Sequence, residues 1–259
     1  MRLGYLRDFS RIVPTPQSPY GRLDFLRATG RGRVRVPSLI WITGTEALAM
    51  YIPTQFKSDD LDHAVKLMRD HSFATLICND DDGQPFVTYL PLHVDLVERD
   101  GKPWPVLLGH VARANPHWKY LRDRGTALVS YLGPHAYMSP TVYPDTMRVP
   151  TWNYLAVQCR VRVRLLTGRA EMDEMLDKLI KDNEPAYLEQ WHSLGEDYHS
   201  KMVAMIVGFE LEITELQCKL KLNQHRPESH AALRRVFAAG SEDERELLTW
   251  MDRLKMRSS

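Results

Sequence analysis

Between residues 58 and 256 the chain switches between two hydrophobic rhythms. Leu61, Ala64, Val65 and Met68 recur at the spacing of one helix face, with Ser58 ahead as N-cap and Asp59 and Asp60 in the first turn. Phe73–Cys78 reads as a strand. Asp80-Asp81-Asp82-Gly83 then reads as a turn, and Pro85 to Val97 as a second strand broken near Pro91. A third strand covers Val106–Val111. A short helix follows over 116–124, capped by Asn115, with Pro116 at the first helical position where its missing N–H costs nothing. Thr126–Leu132 is a strand, and Gly133–Pro140, which holds Gly, two Pro, His, Tyr and Ser, is a rigid loop. The longest alternation runs from Thr151 to Leu166. Val157, Cys159, Val161, Val163 and Leu165 share one face of it, and Gln158, Arg160, Arg162 and Arg164 the other. Met-rich helical patterns over 171–181 and 198–207, a strand over 209–222, and polar amphipathic helices over 227–239 and 242–256 complete the chain. Strands dominate the middle, several joined by hairpin-like turns. The predicted class is mainly β with added helices (α+β), built as an antiparallel barrel.

Charge changes the picture at the N-terminus. Residues 1–49 carry eight Arg, no Lys and three acids, a net of +5. The remainder then has 34 − 8 = 26 basic against 33 − 3 = 30 acidic residues, a net of −4. An Arg-rich, acid-poor stretch suits a transit peptide or a basic arm for nucleic acid. The reading favoured here is a translation start placed too early, with Met50 the natural beginning. The expected organisation is therefore an Arg-rich, disordered or mis-assigned extension over 1–49, a barrel domain with helical insertions over 50–240, and a C-terminal helix over 241–259. The overall net charge of +1 gives no global field for nucleic acid or membrane. Cys78, Cys159 and Cys218 lie far apart without metal-ligand spacing, which points to reduced thiols, no structural metal and a cytoplasmic address. No apolar run approaches the length of a membrane span.

Four segments could carry chemistry. In Gly109–Pro116 an apolar run delivers His110 and Arg113 just ahead of a helix start at Asn115. Free N–H groups and an Arg fork there would suit a phosphate or carboxylate. The alternative is a strand-to-helix connection with an exposed Arg. Gly133–Pro140 offers binding groups on a loop, or merely a tight turn. Val149–Tyr154 sets two aromatics around an amide, suited to a flat heterocycle or only to a strand edge. Lys219–Pro227 gathers cationic side chains and two amides around a strand end, which could equally be a solvated connection. The Arg160, Arg162 and Arg164 row suits pairing with acids better than tracking a phosphate backbone. No glycine-rich phosphate loop, nucleophile elbow or His-rich metal motif occurs, so NTPase, Rossmann and hydrolase readings fall away.

In tandem, Met50–Pro53, Gly109–Pro116, Gly133–Pro140, Pro150–Tyr154 and Lys221–Gln224 resemble the PaiB family of FMN-binding negative transcriptional regulators, in the same order from Met50 to about Ala239. The resemblance implies an antiparallel split β-barrel of the FMN-binding type, like that of the pyridoxamine-phosphate oxidases and flavin reductases. It also implies a homodimer with FMN in a groove between subunits. In that frame Arg113 and the helix start at Asn115 hold the FMN phosphate with His110 nearby. Ser139, Thr151, Trp152, Asn153 and Tyr154 line the ribityl chain or ring, and Lys221 and Gln224 close the site. Two positions depart from the family: Tyr89 stands where it tends to carry His before Leu-Pro, and Asn223 replaces its Ser. Both keep a hydrogen-bonding group.

The first reading is thus a cytoplasmic, homodimeric, FMN-binding regulator that reaches DNA directly or through a partner. Nothing reads as a helix-turn-helix, and the chain from Met50 onward is net acidic, a poor footprint for duplex DNA. The second reading is an FMN-dependent oxidoreductase on a small substrate, with the flavin carrying the chemistry. No residue stands out there as an obligatory acid or base, and His135 and Tyr137 are weak candidates. A haem-binding relative on the same barrel would need an axial ligand that ten His residues do not single out.

Overall fold

The computed structural model describes residues 50–256, so the expectations for residues 1–49 fall outside it. In chain order the elements are β1 (Lys57–Ser58), α1 (Leu61–Asp70), β2 (Phe73–Asn79), β3 (Pro85–Pro91), β4 (His93–Arg99), β5 (Lys102–Ala112), α2 (His117–Arg124), β6 (Thr126–Met138), β7 (Thr151–Leu165), α3 (Arg169–Asn183), α4 (Leu188–Ser193), α5 (Glu196–Ala204), β8 (Ile206–Lys221), α6 (His230–Ala238) and α7 (Glu242–Arg253). The main sheet runs β3-β2-β6-β7-β8-β5-β4, entirely antiparallel, with β1 added to β8. Leu90, Leu76, Val129, Val157, Phe209, Leu107 and Val94 bring all seven of those strands into one buried cluster. The sheet therefore curls around a single core without closing, because β3 and β4 end it at opposite edges. This is the predicted antiparallel split barrel.

The break near Pro91 is what splits it. Pro91 ends β3 beside β2, and two residues later His93 starts β4 at the other edge of the sheet, across the split, paired with β5. Gly109 on β5 lets this corner pack, since a Cβ there would lie 2.5 Å from the Leu92 side chain. α7 joins the same core through Leu247, Trp250 and Met251. The three cysteines are buried and free.

Several local expectations shift. The cap of α1 is Asp60, whose carboxylate accepts from Asp62 N; Ser58 belongs to β1 and bonds His63 instead. The expected rigid loop at Gly133–Pro140 is largely strand. β6 runs on to Met138, pairing His135–Met138 with Tyr154–Thr151 of β7 after a register shift between Leu132 and His135. Pro134 cannot donate a ladder hydrogen bond, and the strand passes it as an irregularity rather than ending there. The second Met-rich helix stops at Ala204, because Ile206 and Val207 already pair with β5. α4 has no counterpart in the sequence reading.

Candidate functional site

The expected site residues fall into two groups. The first surrounds the β5–α2 junction. His110 lies on β5 opposite Gly208, and burial holds its imidazole below the usual range. Its Nδ1 is buried with no hydrogen-bond partner among the described residues. α2 starts one residue later than expected, with Pro116 rather than Asn115 as its N-cap residue, yet Asn115 still serves the helix start: its Oδ1 accepts from His117 N at 3.0 Å, while its Nδ2 donates to Thr88 Oγ1 at 3.2 Å. Arg113 is exposed but engaged. Its Nε donates to Ala204 O at 2.7 Å and its Nη2 to Ile206 O at 2.9 Å, bracing the α5–β8 connection. A cleft of about 500 Å³ opens beside it, lined by Trp118, Arg169, Met172, Val203 and Gly208 among others.

Two residues that the sequence reading missed hold this junction. His117 is fully buried, packs edge-on against Phe86, and shares Thr88 Oγ1 with Asn115 at 2.7 Å. Burial pushes its imidazole down to about 4, so it is neutral near pH 7. Thr88 thus ties β3 to the start of α2. Only its position after a Pro-started helix marks His117 in sequence, and nothing local marks Thr88. Thr88→Val should lower stability by about 1–2 kcal/mol, because it strips a partner from a buried imidazole. Denaturant unfolding of the two proteins checks this.

The second group lies where β6 and β8 end and β7 begins. Trp152 and Tyr154 share one face of β7. Trp152 is exposed and meets Tyr137 edge-on at 6.0 Å and His135 at 6.3 Å between ring centroids. Lys221 Nζ donates to Thr151 Oγ1 at 2.7 Å and sits 5.6 Å from the Tyr154 ring. Lys219 Nζ lies 5.0 Å from the same ring. Asn153 points to the other face, fully buried, with its Nδ2 on Met138 Sδ, so it does not line a surface with its aromatic neighbours. Ser139 caps the short turn after β6 by accepting from Thr141 N. Gln224 is used by its own turn, accepting from Leu222 N and donating to Leu220 O. Asn223, at φ +67°, occupies a left-handed conformation that Asn tolerates better than most residues.

The two groups sit at opposite ends of β8. The register sets Ile206 beside Ala112 at one end, and Lys221 beside Tyr154 at the other. The strand is 16 residues long, about 50 Å of path at ~3.3 Å per residue. The arginine row of β7 lies between them. Arg160, Arg162 and Arg164 pair with Glu215, Glu212 and Glu210 of β8, and Arg164 also with Glu171. Charges neutralised in this way are poor phosphate-trackers.

Comparison with known proteins adds a cofactor. Residues 50–215 match the family described as "Putative FMN-binding domain". The chain is 32% identical over 183 residues to protease synthase and sporulation protein PAI 2 of Bacillus subtilis (strain 168), covering 70% of this chain and 84% of that protein. It is 29% identical over 151 residues to an uncharacterised protein of Emericella nidulans, covering 46% and 60%. Among solved structures, the flavocytochrome Anf3 from Azotobacter vinelandii aligns with 20% identity and a TM-score of 0.48, over 64% of this chain and 69% of that one.

Proposed function

The chain belongs to this family of FMN-binding domains, FMN is therefore its cofactor, and we propose that it holds each FMN between two copies of itself. The separation of the two residue groups along β8 carries this reading. One flavin mononucleotide is too short to reach both groups of a single chain, whereas a two-fold pair can set the Arg113 end of one copy against the Lys221 end of the other. The donor set fits the cofactor. Arg113, through the donor its two carbonyl bonds leave over, suits the phosphate, with His110 beside it, while Asn115 spends its amide on the helix start and Thr88. Thr151, Trp152 and Tyr154 of the other copy suit the ribityl chain and the flat ring, and Lys221 closes that end. The outer face of β2, β3 and β6 supports pairing. It leaves Phe73, Val87, Tyr89 and Leu132 exposed on neighbouring strands, an apolar surface that a second copy would cover.

When bound, FMN supplies electron-transfer chemistry. The chain's own part is to bind and orient it and to limit the access of water. The name of the Bacillus relative supports a regulatory role, and we assign that role to contact with another protein rather than with duplex DNA. The paired arginine row and the net acidity from Met50 onward favour this assignment. The test is gel filtration of the full chain after FMN is added, read by visible absorbance. A flavin band eluting at the size of a dimer is the expected result. A flavin that washes away, or one that elutes with a monomer, contradicts the proposal.

A further inference from the structure

We propose that Lys219 and Lys221 form a two-lysine site for a phosphate monoester. The side chains leave β8 on the same face, and their ammonium groups flank one ring, at 5.0 and 5.6 Å from the centre of Tyr154. Lys219 is only 7% exposed. Its Nζ donates to Tyr51 O at 3.0 Å and lies 5.8 Å from the Tyr51 ring, while Lys221 donates to Thr151 Oγ1. Both partners are neutral oxygens. Among the described residues no carboxylate lies within 4 Å of either ammonium. Elsewhere on the same strand pair each arginine has its glutamate.

A buried lysine with neutral partners is costly, and a second cation beside it adds repulsion. Burial, and then the charge of Lys219, hold Lys221 below the usual lysine range. An ammonium has three N–H donors, and each of these spends one on a neutral oxygen. The remaining donors match the several acceptor oxygens of a phosphate. A dianion removes the repulsion and answers the desolvated charge of Lys219. Structural economy alone would place a Met or Leu at 219.

The proposal deepens the assignment of this strand end to the FMN site, and its test does not depend on that assignment. Inorganic phosphate is titrated calorimetrically into the full chain, first without FMN and then loaded with it, using wild type, Lys219→Met and Lys221→Met. Wild type should bind phosphate, and each variant should bind it about tenfold or more weakly, the loss of one charge-assisted hydrogen bond. Lys219→Met should at the same time melt no lower than wild type, because it removes a buried charge. FMN and riboflavin affinities identify the source of the phosphate. If both variants lose the preference for FMN over riboflavin and loaded protein no longer takes up phosphate, the site serves the cofactor's own phosphate, which then does not lie at the Arg113 end. If loaded wild type still binds inorganic phosphate and the variants do not, it serves a separate phosphorylated reactant. Phosphate binding that is absent in wild type, or unchanged in both variants, overturns the proposal, whether or not FMN binds.

Discussion

Arg113→Ala is expected to weaken FMN binding by about 10–100-fold, the equivalent of one charge-assisted hydrogen bond of ~1.5–3 kcal/mol. The same change should lower stability. Nε and Nη2 of Arg113 bind the carbonyls of Ala204 and Ile206, and its backbone N–H binds that of Met205, so the residue fastens the chain where α5 turns into β8. These bonds are exposed, and the carbonyls can turn to water when the guanidinium is gone. The cost should therefore stay near 1–2 kcal/mol. Fluorescence titration of FMN beside a thermal melt separates the two effects. Arg113→Lys keeps the charge but not the fork, so it should recover part of the affinity and little of the bracing. An alanine variant that binds FMN like wild type would remove Arg113 from the phosphate end.

Acid should loosen the same junction from within. His117 is fully buried with its imidazole pushed down to about 4, against an ordinary value near 6.5. Between those values the unfolded chain binds a proton at this residue and the folded chain does not, so stability falls as pH falls from about 6.5 to about 4 and levels off below that. The depressed value corresponds to about 3 kcal/mol over that window. Other groups titrate there as well. The informative quantity is thus the difference between wild type and His117→Gln, followed by urea unfolding from pH 7 to pH 4. That difference should shrink towards acid, because the variant has no proton to gain at this position. A constant difference would mean that His117 is not held neutral.

The pattern of alternation makes much of the barrel legible in the sequence. Thr151–Leu166 shows its buried and charged faces plainly, and β7 keeps both. The Asn115-Pro116 start of α2 was legible because a cap and a proline act locally. What depends on pairing was not. Gly133-Pro134 looks like a loop in one dimension, and only the partner strand shows that β6 continues past it. Asn153 looks like part of an aromatic cluster, yet strand period turns it inward while Trp152 and Tyr154 face out. Thr88 joins the site across 29 residues through the His117 ring, a contact that no local signal announces. The greatest gap was spatial. Arg113 and Lys221 both read as site residues, but the register of β8 alone places them at opposite ends of one strand.

That separation makes the shared cofactor site testable by complementation. Arg113→Ala and Lys221→Met chains would be unfolded together, refolded as a mixture, and assayed for bound FMN at a concentration that saturates wild type and neither variant alone. In a mixed pair, one of the two sites joins an intact Arg113 end to an intact Lys221 end. Random pairing should therefore restore about a quarter of the wild-type FMN per chain. A mixture that binds no more FMN than the separate variants would place each flavin within a single chain and contradict the account.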